Sequence, residues 1–184
     1  ADPHFPYLPP ARWTDQPKAV KCRALGEKAS QGKLARYRLF TNRNGMATDV
    51  LDECTELYDA EIAFTDHAIG RLFAGLKEQG RPDPIVVFTS DHGENLGEWD
   101  LFFEHGPNAH DASLRIPLVL AGPRVAPARS KVAASIEDVT PTLLALLGGD
   151  WPKELIFDGV DLLAAGGTVP PRSWVLAESG SVLH

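Results

Sequence analysis

Cysteine is scarce in this chain, with two in 184 residues, Cys22 and Cys54. They form no C-x-x-C pair and have no tight Cys/His spacing, which argues against a zinc cage or a disulfide framework. The two could pair across the fold, but free thiols are the preferred reading, and the compartment stays open. Long apolar runs are missing as well. None approaches the roughly 20 residues of a transmembrane helix, and no charged start followed by a hydrophobic region marks a signal peptide. Positive charge is in deficit: a formal net charge of −7 and a pI near 5.3 leave no general attraction to nucleic acid or to an anionic membrane. Internal repeats and low-complexity tracts are absent.

What is present is a globular composition, 43% hydrophobic and 23% charged, with enough length for one domain around a real core. The start at Ala1-Asp-Pro-His4, without Met, and the end at Ser179-Gly-Ser-Val-Leu-His184 read as cuts from something longer. The chemistry is expected at Ile85-Val-Val-Phe-Thr-Ser-Asp-His-Gly-Glu94. Four apolar residues in a row suit a buried strand, and the strand empties into a carboxylate, an imidazole and a glycine. In open α/β sheets that edge is where ligands bind. Gly93 lets the chain turn sharply and lets something approach the backbone. Asp91 and His92 would point to opposite faces of a regular strand, so they reach one divalent ion only if the strand breaks there. On the dipeptide alone a simple turn, with Asp91 as a cap and His92 exposed, is the commoner outcome.

Along the chain, Pro3, Pro6, Pro9, Pro10 and Pro17 forbid a helix over residues 1–17. That leaves a stiff extended segment which can position His4 or simply strap a core edge. Residues 18–45 are basic and polar, with Lys18, Lys21, Arg23, Lys28, Lys33, Arg36, Arg38 and Arg43, and read as a partly helical surface excursion ending at Asn42-Arg-Asn-Gly45. The helical repeat of Leu51, Cys54, Tyr58, Ile62, Thr65, Ile69, Leu72, Phe73 and Leu76 predicts a helix over 48–79. Thr48 or Asp49 would cap it, Gly80 and Pro82 would stop it, and it would cover a sheet face, with His67 on the surface. Strands are expected at 85–90, 117–121 and 174–177, buried on both faces as parallel strands are. Residues 91–116 form a loop too long for a mere connection, anchored by Trp99, Phe102 and Phe103. A last helix is expected at 136–147, with Pro141 in its first turns and Gly148-Gly149 as its stop.

These residues resemble a family. His4-Phe-Pro-Tyr-Leu-Pro-Pro10 is similar to the H-x-P-Y-x-P-P segment of sulfatases. Leu57-Tyr-Asp-Ala-Glu-Ile62, followed by Asp66 and Gly70-Arg-Leu72, resembles their Y-x-x-E-I-x-x-x-D helix, and Thr89-Ser-Asp-His-Gly-Glu94 their T-S-D-[HN]-G-E strand end. Phe103-Glu-His-Gly106 and Ser113-Leu-Arg-Ile-Pro-Leu118 resemble F-x-H-G and S-x-R-V-P-L. Asp138-Val-Thr-Pro-Thr-Leu-Leu144, with Leu146-Leu-Gly148, looks like the D-x-x-P-T-L-L-x-L-x-G helix. Six ordered blocks cover residues 2 to about 160.

The resemblance implies an alkaline phosphatase/sulfatase-like α/β fold, a mixed sheet flanked by helices and here incomplete. It also implies hydrolysis of sulfate esters, small-molecule or carbohydrate, at one divalent metal, most often Ca2+, with Mg2+ or Mn2+ as alternatives. Asp91 and His92 match the family's metal pair. His4 matches the histidine beside the sulfate, and His105 stands where a Lys or His binds the sulfate or helps the leaving group. His110-Asp111 departs from the family's Tyr-Asp/Glu pair, and no role is assigned to His110. The family's formylglycine nucleophile arises from C/S-x-P-x-R in the N-terminal part. Cys22 is followed by Arg-Ala-Leu and Cys54 by Thr-Glu-Leu, so residues 1–184 resemble a partial catalytic domain that lacks the nucleophile half. A metal with cationic donors would offset charge on a transferring sulfuryl group, and imidazole as a side-chain type can protonate a leaving alkoxide. Glu94, Glu98 and Arg115 read as loop hydrogen bonds and ion pairs, Arg124 and Lys131 as surface charge. A phosphodiesterase or phosphonate monoester hydrolase of the same superfamily, and a non-catalytic binding protein, are the rival readings.

Overall fold

The computed structural model describes residues 3–13, 19–32, 45–81, 83–105, 109–149, 151–152, 154–164 and 175–177. It divides into two compact units, Ala1–Pro82 with His92–Arg115, and Asp83–Asp91 with Ile116–Glu178.

In the first unit the prolines keep residues 3–10 out of helix and strand, and the segment runs as a strap with a cis Phe5–Pro6 bond into a 3-10 turn at Ala11–Trp13. Helix α1, Val20–Ala29, buries Cys22, Gly26 and Ala29, a spacing that lines one helical face. Helix α2, Thr48–Glu78, has 31 residues and so extends about 46 Å. Neither Thr48 nor Asp49 caps it. Ala47 is the N-cap residue and contributes no side chain, while the Asp49 carboxylate pairs with the Lys21 ammonium. Gly80, at φ +73°, ends the helix as expected, while Pro82 lies outside the described residues.

The face that α2 buries is Cys54, Leu57, Ala60 and Glu61, whereas Ile62, Leu72 and Phe73 are exposed. The expected stripe was therefore rotated and too long. The buried half of α2 packs into an aromatic core with Phe5, Tyr7, Phe102 and Phe103. Phe5 stacks on Phe103 with ring centroids 5.2 Å apart, and Tyr7 meets the same ring edge-on at 5.8 Å.

The expectation of free thiols is overturned, since Cys22 and Cys54 form a disulfide. Packing of α1 on α2 brings the two Cα atoms to 5.2 Å, inside the range a disulfide spans, and a separation of 32 residues hides that proximity in the sequence. Next to it, Glu53 Oε2 accepts hydrogen bonds from the backbone N–H groups of Lys21 and Cys22 at 3.0 and 3.2 Å. The orphan donors at the start of α1 are thus satisfied from the neighbouring helix. Of the basic excursion, Lys18, Lys33, Arg36, Arg38 and Arg43 lie outside the described residues.

The long loop has structure of its own. Strands β2, Asn95–Leu96, and β3, Phe102–Glu104, pair antiparallel around a 3-10 turn at Glu98–Asp100, and a single helical turn, α3, follows at Asp111–Leu114. Phe102 and Phe103 anchor it as expected. Trp99 does not: it is 72% exposed and stacks on His110 at 4.9 Å. Phe103, fully buried, sits at φ +54°, a conformation costly for a bulky residue.

In the second unit β1, Val86–Thr89, pairs with β4, Leu118–Ala121, antiparallel, with Val86 opposite Ala121 and Thr89 opposite Leu118. The parallel, doubly buried strands read from the sequence are corrected here. Phe88 and Val119 are register partners and both are exposed, because an antiparallel pair alternates its faces. Residues 175–177 are not in a strand, and Trp174 lies outside the described residues. A 3-10 turn at Ile136–Asp138 runs into helix α4, Val139–Leu147, which carries Pro141 in its first turn.

Asp138 is fully buried and works as a clasp for that helix. Its carboxylate accepts the Ser135 N–H at 2.7 Å in a capping box and the Val160 N–H at 2.8 Å. Thr142 Oγ1 donates to the Asp138 carbonyl at 2.6 Å and accepts the Leu162 N–H at 2.9 Å. No helix among the described residues is long and apolar enough to cross a membrane.

Candidate active site

Three imidazoles from three separate segments of the first unit converge. His4 comes from the proline strap, His92 from the chain following β1, and His105 from the end of β3. The His92 and His105 rings stack with centroids 3.7 Å apart and planes 16° from parallel. His4 meets both edge-on, at 5.2 and 4.8 Å. One ring nitrogen of each lies within 4.8 Å of one on each of the others.

The strap that carries His4 is pinned three and four residues further on. Its N–H at Leu8 donates to the buried Glu61 Oε1 of α2 at 2.7 Å, and the Tyr7 hydroxyl donates to Glu94 Oε2 at 3.0 Å. His105 is placed by Phe103, two residues earlier, whose ring is locked into the core.

Hydrogen bonds orient two of the rings. The His92 Nδ1 lies 2.8 Å from the Gly93 carbonyl. A carbonyl can only accept, so Nδ1 carries a proton. The His105 Nδ1 lies 3.2 Å from Glu94 Oε1, and that carboxylate is 4% exposed. The same polarity follows for His105. Glu94 thus ties the strap, through Tyr7, to the long loop, through His105. The sequence reading of Glu94 as a loop hydrogen-bonding residue holds, but its partner is a site histidine. Only its place three residues after Asp91 in T-S-D-H-G-E signalled this.

The Tyr7 phenol is pushed well above its ordinary value, first by burial and then by the negative charge of Glu94. Tyr58 shifts the same way for the same leading cause.

Gly93 behaves partly as expected. Its backbone is not in the left-handed region, so no special turn depends on it. The close approach is real: its N–H donates to the Ser113 carbonyl at 2.8 Å, and a Cβ there would stand 2.0 Å from the Ala112 carbonyl oxygen. Asn95, fully buried, donates to the Glu104 carbonyl and, at 2.9 Å, to Ser113 Oγ, holding the two sides of the loop together.

Asp91 belongs to the second unit, is exposed, and accepts from Ser90 Oγ at 3.4 Å. Among the described residues the group whose ligand atoms converge is His4, His92 and His105, without a carboxylate. Glu98 accepts the Leu96 N–H at 2.7 Å and Arg115 sits 4.0 Å from Asp111 on the surface, both structural as read from the sequence. His110 precedes α3 and stacks on Trp99. Gly106 lies outside the described residues.

The sulfatase family model matches residues 1–149. The chain is similar to the multifunctional alkaline phosphatase superfamily protein PehA of Trinickia caryophylli, 32% identical over 94% of this chain and 37% of that protein. It is similar to the uncharacterized sulfatase YidJ of Escherichia coli K12, 30% identical over all of this chain and 41% of that protein. It is also similar to a choline-sulfatase of Rhizobium meliloti, 40% identical over 50% of this chain and 18% of that protein. The chain spans about two fifths of the length of the first two relatives.

Proposed function

The chain belongs to the sulfatase family, with helices and small antiparallel sheets consistent with an alkaline phosphatase-like α/β fold, and from that premise we propose that it supplies part of the active site of a sulfuric ester hydrolase. The observation that carries the reading is the convergence of His4, His92 and His105 inside the matched stretch.

In this reading His4 and His105 act on the ester. His4 donates to a sulfate oxygen. His105, held by Glu94, passes a proton from Nε2 to the leaving oxygen, and the buried carboxylate stabilises the imidazolium state that alternates with it. His92 and its chain neighbour Asp91 are the metal pair. A divalent ion there would offset the negative charge of the transferring group.

Calcium fits the described donors poorly. It takes about six to eight oxygens, whereas one carboxylate and imidazole nitrogens suit manganese or a more nitrogen-seeking ion better. Both cysteine sulfurs are engaged with each other, so neither serves as nucleophile while the bridge stands.

Phosphorus esters are the second reading. It is favoured by the 32% identical relative, whose name describes a multifunctional member of the alkaline phosphatase superfamily. The test is kinetic. In the protein joined to an upstream segment carrying the nucleophile motif, His105→Ala should lower kcat on an aryl sulfate by about 10²–10⁴-fold, the range for loss of a general acid, with little change in thermal stability. A kcat within about twofold of the parent removes His105 from the chemistry. Parallel assays with an aryl phosphodiester and an aryl phosphonate decide between sulfur and phosphorus.

A further inference from the structure

We propose that the Cys22–Cys54 bridge is a redox-sensitive latch: closed, it holds α1 against the proline strap that carries His4, and reduced, it lets α1 and that end of the strap loosen together. The step is a thiol–disulfide exchange with a dithiol. One thiolate of the reductant attacks a bridge sulfur, the S–S bond breaks and a mixed disulfide forms. The second thiol of the reductant then closes on the first. The reductant leaves as a disulfide, and Cys22 and Cys54 gain its two electrons and two protons as thiols.

α1 has a small hold of its own. Its ten residues are few for a stable isolated helix. Its buried face is Cys22, Gly26 and Ala29, with Leu25 partly buried beside them, and such short side chains remove little apolar area from water. The Lys21–Asp49 ion pair is exposed at both ends and contributes little. The hydrogen bonds from the Lys21 and Cys22 N–H groups to Glu53 sit beside the bridge. The same face of α1 meets the strap. A Cβ at Gly26 would stand 2.8 Å from the Pro6 Cβ and 3.7 Å from the Phe5 ring, so α1 backs the Phe5–Pro6 step next to His4. The hydrogen bonds at Tyr7 and Leu8 hold the strap further along. Both sulfurs are buried, Cys22 at 1% and Cys54 at 0% exposure, so a reductant reaches them through a local opening of α1. The consequence for an ester held by His4 rests on the proposed function, whereas the loosening itself does not.

Hydrogen exchange read by mass spectrometry tests the latch on the purified protein, with and without a dithiol. It follows the backbone directly, so a protein that fails to hydrolyse esters still answers it. Reduction should speed exchange in residues 20–29 and 4–7 by at least about tenfold and leave residues 57–61 of α2 within about twofold, as for loss of a bridge that restrains one local unit. Reoxidation should restore both segments. The double variant Cys22→Ser, Cys54→Ser should exchange like the reduced protein and ignore the dithiol. Gly26→Ala, which leaves the sulfurs in place, should loosen residues 4–7 in the oxidised protein, and it decides the matter if the serine variant fails to fold. Free thiols at both cysteines of the unreduced protein overturn the latch. Loosening of α1 while residues 4–7 stay protected overturns it too. So does equal loosening of residues 57–61, which would make the bridge a staple of the whole unit.

Discussion

Glu94 joins His105 to Tyr7 of the first unit's aromatic core. One carboxylate oxygen accepts from Tyr7 and the other from His105. The raised Tyr7 phenol gives a testable consequence. In the unfolded chain a phenol loses its proton near pH 10, whereas in the fold Tyr7 keeps it. Above pH 10 the folded state therefore holds more protons, and stability must fall as pH rises, by about 1.4 kcal/mol per pH unit for each proton retained. Tyr58 adds a contribution of the same sign. Tyr7→Phe gives up the hydrogen bond to Glu94, about 1–3 kcal/mol at neutral pH, but should flatten the alkaline slope by close to one proton. Urea unfolding between pH 8 and 11 measures this, and an unchanged slope in the variant would show that Tyr7 titrates normally.

At this scale much of the site was legible. His4, His92 and His105 were named from motifs, and the fold brings them together. What the motifs could not convey was the direction of each ring, which depends on hydrogen bonds to Gly93 and to Glu94.

Elements explain why those histidines meet. The strap, β3 and the segment after β1 are each tied by a single class of contact: Glu61 to the Leu8 N–H, Phe103 to the core, and Gly93 to the Ala112–Ser113 backbone. The last contact is the most stringent, because a methyl group at residue 93 would overlap a carbonyl oxygen that no rotamer can move. Gly93→Ala should cost about 1–3 kcal/mol or more as overpacking. It should also displace the Gly93 carbonyl that orients His92. Gly70, in the middle of α2, has nothing within 4 Å of the same position, so Gly70→Ala should stabilise by about 0.5–1 kcal/mol through helix propensity alone. Chemical denaturation of the pair tests the contrast, and equal effects would show that the approach at Gly93 relaxes easily.

The elements also show where sequence reading stopped. Helix existence followed from periodicity at 48–78 and 136–147. The buried face of α2, the disulfide and the antiparallel pairing of β1 with β4 did not, because each depends on which element lies alongside. Cys22 and Cys54 meet through helix packing, and nothing in a spacing of 32 residues signals it.

At the scale of the whole chain, the question is whether the described chemistry is sufficient for turnover. In the proposed reading His4 and His105 bind an anion and move a proton, but neither act forms the covalent intermediate that splits a hard hydrolysis into two easier steps. The sulfurs of both cysteines are joined to each other. Among the described residues each sheet has two strands, and a two-stranded sheet is marginal by itself. Phe88 and Val119, paired on one face of β1 and β4, are 43% and 51% exposed, and such surfaces associate when left uncovered. The 184-residue chain alone should therefore show no turnover of a chromogenic aryl sulfate with Ca2+, Mg2+ or Mn2+, and it should be prone to self-association. Joining or co-expressing it with an upstream segment that carries the nucleophile motif should improve solubility and produce arylsulfatase activity. Light scattering and the ester assay read the two effects separately. Metal-dependent turnover by the 184 residues alone, abolished by Asp91→Ala, would show that a nucleophile lies within this chain.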